Sequence, residues 1–360
     1  MVATFPVRVR GDPRPWPGWL SGSLESLAAV GVAVLVGAAV LWLTGNDPFE
    51  AYRALIDRTL LRPSGLQESL VRATPLLLAG AGVLVAVRGG IWNVGVDGQV
   101  LIGAIVGAVV ASHLIATNRP VLWLAVAVSA GLAGALWAVP PALLRVRFGV
   151  NEIVSTIMFN YVAISLTAWL VKGPFRDESL VAPQTPSIPR DLRLAMLGDT
   201  RVHVGLLVAV TLVVGLGWVL RSTVAGLELR VVGSSLRAAR HALIPVRGYL
   251  LAAFLISGAI AGLAGANDVL STKGTFQAEW NPGYGFVAFA IVFLARRNAW
   301  ALLPASLLFG MLSYGADVMP RAAGIDPAFF DLFEGTLLVS LAASGWLRRV
   351  RPRHRPAEAR

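Results

Sequence analysis

Apolar residues in this chain gather in long unbroken blocks. Neither the alternation of half-buried strands nor the one-faced spacing of soluble helices dominates. A helix crossing a bilayer core needs about 20 mostly apolar residues. Ten blocks approach that length: 27–43, 71–87, 98–116, 121–144, 151–171, 202–220, 249–270, 284–295, 299–319 and 328–346. The block at 284–295 is short, and reads either as a span continued backwards through Tyr284 and Pro282 or as a half-helix. The pattern predicts an all-α, polytopic helical bundle of eight to ten spans. Residues 1–26 form an N-terminal tail, 27–346 the membrane domain and 347–360 a basic C-terminal tail. The first block is too long to be the apolar part of a cleaved signal peptide.

The segments between the blocks have patterns of their own. Asp47-Pro48-Phe49-Glu50 reads as a helix start, with Asp47 as cap, Pro48 in the first turn and Glu50 completing a capping box. Phe49, Tyr52, Leu55, Ile56 and Leu60 then recur at helical spacing, and Pro63-Ser64-Gly65 stops the run. This predicts a helix over 48–62 lying on the outer membrane surface. Residues 172–201 hold several prolines and mixed charges and are expected to form an ordered outer cap or loop. In 221–248, Gly233-Ser234-Ser235 interrupts the chain, and Leu236, Ala239, Ala242 and Leu243 follow at helical spacing. Ser234 or Ser235 can cap that short helix, whose apolar stripe and basic face suit a groove on a partner.

Composition sharpens the class. Of 360 residues, 56% are hydrophobic and only 14% charged, against roughly 25% charged in soluble domains. A net charge of +11 alone would fit a nucleic-acid binder. With this apolar excess it fits basic loops at a membrane surface instead, and no nucleic-acid partner is expected. Threading ten spans from a cytoplasmic N-terminus puts 19 of the 31 basic residues inside, which predicts both termini there. The chain has no cysteine, so disulfides, zinc thiolate sites and cysteine nucleophiles are excluded, and its histidines (His113, His203, His241 and His354) are scattered, none in a metal-spaced pair. Its two lysines, Lys172 and Lys273, lie outside any G-x-x-x-x-G-K-[ST] pattern. A Walker A loop is therefore absent, and any ATP-driven step needs another polypeptide.

Polar residues interrupt the apolar blocks in three places. The stretch 88–99 sets four glycines with Asn93, Asp97 and Gln99 between two apolar blocks. It reads either as a tight cytoplasmic turn or as a broken, re-entrant helix whose polar groups line a pathway. The fifth block opens with Asn151, Glu152, Ser155, Thr156 and Asn160. Glu152, Ser155 and Thr156 share a helix face that Asn160 extends, facing other polar groups or an aqueous path. The third set, Asn267, Asp268, Lys273, Glu279 and Asn281, fits an ordinary outer loop. Gly103/Gly107 and Gly258/Gly262 are small-xxx-small pairs for helix packing. Pro75, Pro140, Pro141 and Pro304 are expected to kink their spans.

Several stretches together resemble one family. DPFEAYRAL (47–55), ESLVRATPLLLAGAGVLVAVRGGIWNVGVDGQVLIGA (68–104), GVNEIVSTIMFNYVA (149–163), GLELRVVGSSLRAAR (226–240) and FLISGAIAGLAGA (254–266) are similar to inner-membrane permease subunits of ABC importers for nucleosides and simple sugars, the ribose-permease-like class. The stretches at 93–99 and 150–160 resemble the longer of two permease subunits in nucleoside systems. The resemblance implies a multi-pass plasma-membrane protein. Its partners would be a second, homologous permease, an ATPase subunit that binds ATP and magnesium, and an extracytoplasmic substrate-binding lipoprotein. No cofactor is implied in this chain. Asn93, Asp97, Gln99, Glu152, Ser155 and Asn160 are the expected substrate-path residues. Gly226, Arg230, Gly233, Arg237, Ala238, Ala239 and Arg240 fall in what resembles the family's ATPase-coupling loop. The chain departs from the family where Leu243 replaces a usual glycine and where Ala295-Arg296-Arg297-Asn298 and Ala301 replace a glycine-rich turn. Nucleosides are the first expected substrate and simple sugars the second. A self-sufficient ion-coupled transporter is the competing class. A membrane enzyme is disfavoured by the missing catalytic sets.

Overall fold

The computed structural model describes the backbone over residues 18–350, with side chains over 26–343. Residues 1–17 and 351–360, most of both tails, lie outside the described residues. Thirteen α-helices follow in order among the described residues: α1 Gly18–Leu43, α2 Pro48–Ile56, α3 Pro63–Arg88, α4 Val96–His113, α5 Arg119–Phe148, α6 Glu152–Lys172, α7 Gly205–Ser222, α8 Val224–Ser234, α9 Leu236–His241, α10 Val246–Asp268, α11 Tyr284–Leu294, α12 Ala299–Ala323 and α13 Ala328–Val350. Eight of these, α1, α3 to α7, α10 and α12, are long and apolar enough to cross a membrane. The bundle is all-α and polytopic.

Close packing centres on α10, which lies against α3, α4 and α5. Both small-residue pairs serve this purpose. A Cβ at Gly103 would stand 2.4 Å from the Cα of Gly262, and one at Gly258 would stand 2.5 Å from the carbonyl oxygen of Gly134. Only glycine allows that approach, which maximises van der Waals contact where lipid offers no hydrophobic drive between helices. On the lipid-type face, Leu124, Val128, Leu132 and Leu136 of α5 are exposed aliphatics.

The helix start at Asp47 is as predicted at its cap. Asp47 accepts from the Phe49 and Glu50 amides at 2.8 and 3.2 Å, with Pro48 in the first turn. The end differs. After Ile56 the chain makes a π-turn over Asp57–Leu61, and Pro63 then opens α3. Its fixed φ and missing N–H suit a first helical turn as well as a stop. Pro75, Pro140, Pro141 and Pro304 lie within helices that run through them.

Residues 172–201 fold as a cap over one end of the bundle, here called the cap end. The Thr185 amide donates to the Phe276 carbonyl at 2.9 Å, and the Phe276 amide donates back to the Thr185 hydroxyl at 2.9 Å. The Ile188 amide reaches the Gly274 carbonyl at 2.8 Å. Ile188 and Leu192 are buried beneath. The opposite end carries α8 and α9 and is called the loop end.

Candidate functional site

The stretch 88–99 is a break between helices that lies largely inside the protein. The chain leaves α3 at Gly89 and reverses at Gly90, where φ is +75°. It then runs into the bundle through the buried residues Ile91, Asn93 and Val94, and α4 begins at Val96. Asn93 is fully buried. Its Nδ2 donates to the Ser257 hydroxyl of α10 at 2.9 Å and to Gln99 Oε1 at 3.0 Å, while Gln99 Nε2 donates back to Asn93 Oδ1 at 3.2 Å. Ser257 lies midway along α10, about 16 Å from its loop-end start at 1.5 Å per residue.

Asp97 sits in the first turn of α4 and accepts the Gly285 amide at 2.6 Å from the first turn of α11. Two helix N-termini, each with unpaired amides and positive dipole, therefore converge on one carboxylate. Helix α11 is only 11 residues long. The short eighth block is thus a half-helix that starts inside the bundle. Its Tyr284 hydroxyl donates to Asp268 Oδ2 at 2.7 Å.

From α6, Asn160 closes the same region. Its Oδ1 accepts the Gly98 amide at 2.8 Å, and its Nδ2 donates to the Val94 carbonyl at 2.9 Å. Asn93, Asp97, Gln99 and Asn160 are thus brought together around the first turn of α4. Glu152 and Ser155 lie one to two turns nearer the loop end. Glu152 pairs with Arg145 at 3.3 Å, and the Ser155 hydroxyl donates to the Glu152 carbonyl at 3.2 Å. All six side chains are buried. The polar stripe of α6 faces other polar groups, while Met158, Tyr161 and Trp169 occupy its exposed side. Ser257 and Gly285 complete the site, yet nothing in their sequence surroundings distinguishes them from packing residues.

The segment 221–248 is built as two capped helices. The Thr223 hydroxyl accepts the Gly226 amide at the start of α8, and the Ser235 hydroxyl accepts the Ala238 amide at the start of α9, both at 3.2 Å. Ser235 is thus the cap of α9, and Ser234 ends α8. Val232, Ala239 and Val246 form a small core of their own. Ala239 is fully buried there, whereas Arg230, Arg237, Ala238 and Arg240 are exposed. Gly226 packs on the α7 backbone at Val219 and Leu220. Gly233 touches the chain reversal below Asn93: a Cβ on it would stand 2.1 Å from the Arg88 carbonyl oxygen and 2.8 Å from the Gly90 amide. Arg88 in turn donates to the Arg297 carbonyl at 3.0 and 2.6 Å.

Comparison with known proteins fits this architecture. A family described as the permease component of branched-chain amino acid transport systems matches residues 65–342. The glucose ABC transporter permease TsgB13 of Haloferax volcanii is 34% identical, over 96% of this chain and 93% of its own. The guanosine ABC transporter permease NupP of Bacillus subtilis is 30% identical, over 92% of this chain and 96% of its own. The nucleoside permease NupB of Lactococcus lactis is 24% identical, over 93% and 95% respectively. With its apolar helices, glycine-packed centre and broken polar segment, the chain belongs to this family of ABC transporter permeases and is a multi-pass membrane transport subunit.

Proposed function

We propose that this chain is a permease subunit of an ATP-driven importer in the plasma membrane, carrying nucleosides or simple sugars inward. The similarity to nucleoside and glucose permeases along nearly the whole chain is the observation that carries this reading. The chain has no phosphate-binding loop of the Walker A type, so a separate ATPase subunit binds ATP and magnesium and hydrolyses the nucleotide. A second, homologous permease completes the membrane unit, and an extracytoplasmic lipoprotein delivers the solute.

In this reading the loop end faces the cytoplasm. Helices α8 and α9 receive the ATPase through exposed Arg230, Arg237, Ala238 and Arg240, with Ala239 as internal support and Gly226 and Gly233 as seats on the bundle. Asn93, Asp97, Gln99, Glu152, Ser155 and Asn160 form the wall of the path. In the conformation described they close on one another. Transport exchanges some of these internal hydrogen bonds for bonds to the solute, which is uncharged and rich in hydroxyls. Such an exchange needs a second conformation, biased by a partner whose contacts differ between the two states.

The test is reconstitution. This chain alone in proteoliposomes should neither hydrolyse ATP nor concentrate solute. Adding the ATPase, the second permease and the binding protein should yield ATP-dependent uptake of guanosine or glucose. Concentrative uptake by the chain alone on a proton or sodium gradient would replace this reading with the ion-coupled class.

A further inference from the structure

At the cap end, beyond the polar set, a second group of polar atoms lacks protein partners. Both ring nitrogens of His203, Nδ2 of Asn267 and Oγ of Ser271 are buried with no hydrogen-bond partner among the described residues. His203 is 4% exposed and Asn267 7%. The three side chains come from different places. His203 lies in the short turn before α7, Asn267 ends α10, and Ser271 lies in the π-turn Val269–Lys273 that follows it. His203 stands between the other two: Gly205 leaves room for it beside Asn267, where a Cβ would stand 2.1 Å from Asn267 Oδ1 and 2.7 Å from His203 Nδ1, and it shares a recess with Ser271. Leaving a buried donor or acceptor unmade costs about 1–3 kcal/mol, so such a cluster marks a place where a polar ligand is expected.

Asn267 borders a mostly apolar hollow with Trp123 and Leu263, whereas a separate recess of about 240 Å³ opens beside His203 and Ser271 and is lined by both and by Thr272. At its rim Arg201 and Glu68 form an ion pair at 3.0 Å, which leaves the site without an excess of either charge. Val71, Leu194 and Met196 supply an apolar wall, and Met196 is 67% exposed at the surface. The neutral imidazole offers one donor and one acceptor, and the serine hydroxyl offers both. Donors and acceptors side by side, an apolar wall and balanced charge match a ring carrying adjacent hydroxyls, whose C–H face packs on the wall.

We propose that His203 and Ser271 form an entry site at the cap end for the vicinal hydroxyls of a sugar or ribose ring. The proposal rests on the permease reading above and names the chemical feature that such a permease reads. Glucose and guanosine both carry that feature. Ser271 lies beyond Asn267, which is itself ten residues and about 15 Å along α10 from Ser257, so a solute would meet this site before the polar wall.

The test uses the purified full-length chain in lipid nanodiscs and saturation-transfer NMR with three probes: D-glucose, guanosine and 2′,3′-dideoxyguanosine. Transfer to the first two and not to the third is expected. Ser271→Ala and His203→Phe should each weaken guanosine binding about tenfold, and thermal unfolding of each variant checks that it remains folded. Equal transfer to the dideoxy probe overturns the proposal, as does no transfer to any probe. Folded variants that bind guanosine as the parent does would make the cluster a hydrated structural feature and also overturn it. ATP-dependent uptake by the assembled transporter is measured separately. If uptake survives unchanged in both variants, the permease reading stands and the entry site falls.

Discussion

Individual residues carry sharp physical consequences here. Asn160 pairs two buried backbone groups, the Gly98 amide and the Val94 carbonyl. Asn160→Ala orphans both, at about 1–3 kcal/mol each. A lowered thermal unfolding midpoint in detergent is expected, with reduced transport but retained membrane insertion. Leu243 is held at φ +57° while 90% exposed, in the left-handed region that costs a side-chain-bearing residue about 1–2 kcal/mol. Leu243→Gly removes that strain and loses almost no burial. Offset by glycine's greater unfolded freedom, the change should stabilise the α9–α10 connection by about 0.5–1 kcal/mol, seen as slower local amide exchange. His203 precedes α7 and lies outside the membrane-spanning helices. Burial pushes its imidazole from 6.5 down to about 4. Between those values the unfolded chain binds a proton that the folded chain refuses, so stability is full above about pH 6.5 and falls as the medium is acidified toward pH 4. His203→Gln should flatten that slope in unfolding curves taken from pH 7 to pH 5.

At the scale of elements, much was legible and the reasons for the rest are specific. The Asp47 cap could be read directly and the α9 cap narrowed to Ser234 or Ser235, because capping depends on local chain geometry and residue type. The half-helix α11 was visible as a short apolar block, although its starting depth was not, since the Asp97–Gly285 contact joins residues 188 apart in sequence. Pro63 was ambiguous because proline both ends and begins helices. Departures from the family pattern proved informative: Leu243, Arg296 and Arg297 all have positive φ (57°, 52° and 59°), the conformation for which glycine is the natural choice. Ala239 matched the helical stripe, yet the sequence could not distinguish an external groove from the loop's own core. With the core now visible, Ala239→Trp should overpack Val232 and Val246 at a cost of roughly 1–3 kcal/mol. Arg237→Glu should leave the loop folded and weaken ATPase co-purification in a salt-sensitive way.

For the whole molecule, the apolar blocks and the glycine pairs together made the bundle predictable, because lipid imposes helices and close packing demands small residues. The joint between the loop end and the bundle was not predictable, since it depends on two distant glycines meeting. Gly233→Ala places a methyl group against the Arg88 carbonyl and the Gly90 amide. The expected outcome is an assembled transporter that still hydrolyses ATP but moves less solute per ATP, measured as the uptake-to-hydrolysis ratio. An unchanged ratio would remove this joint from the mechanism. The contact's character matters as much as its position. Side chains yield when pushed, because they can change rotamer and swing aside. Two bare backbones in contact have no such slack. A small tilt of α8 would therefore reach Gly90 almost undiminished, and Asn93 stands three residues further on. In the permease reading proposed above, such a joint would serve as a rigid clutch plate, passing the motion of α8 to the interior without slip.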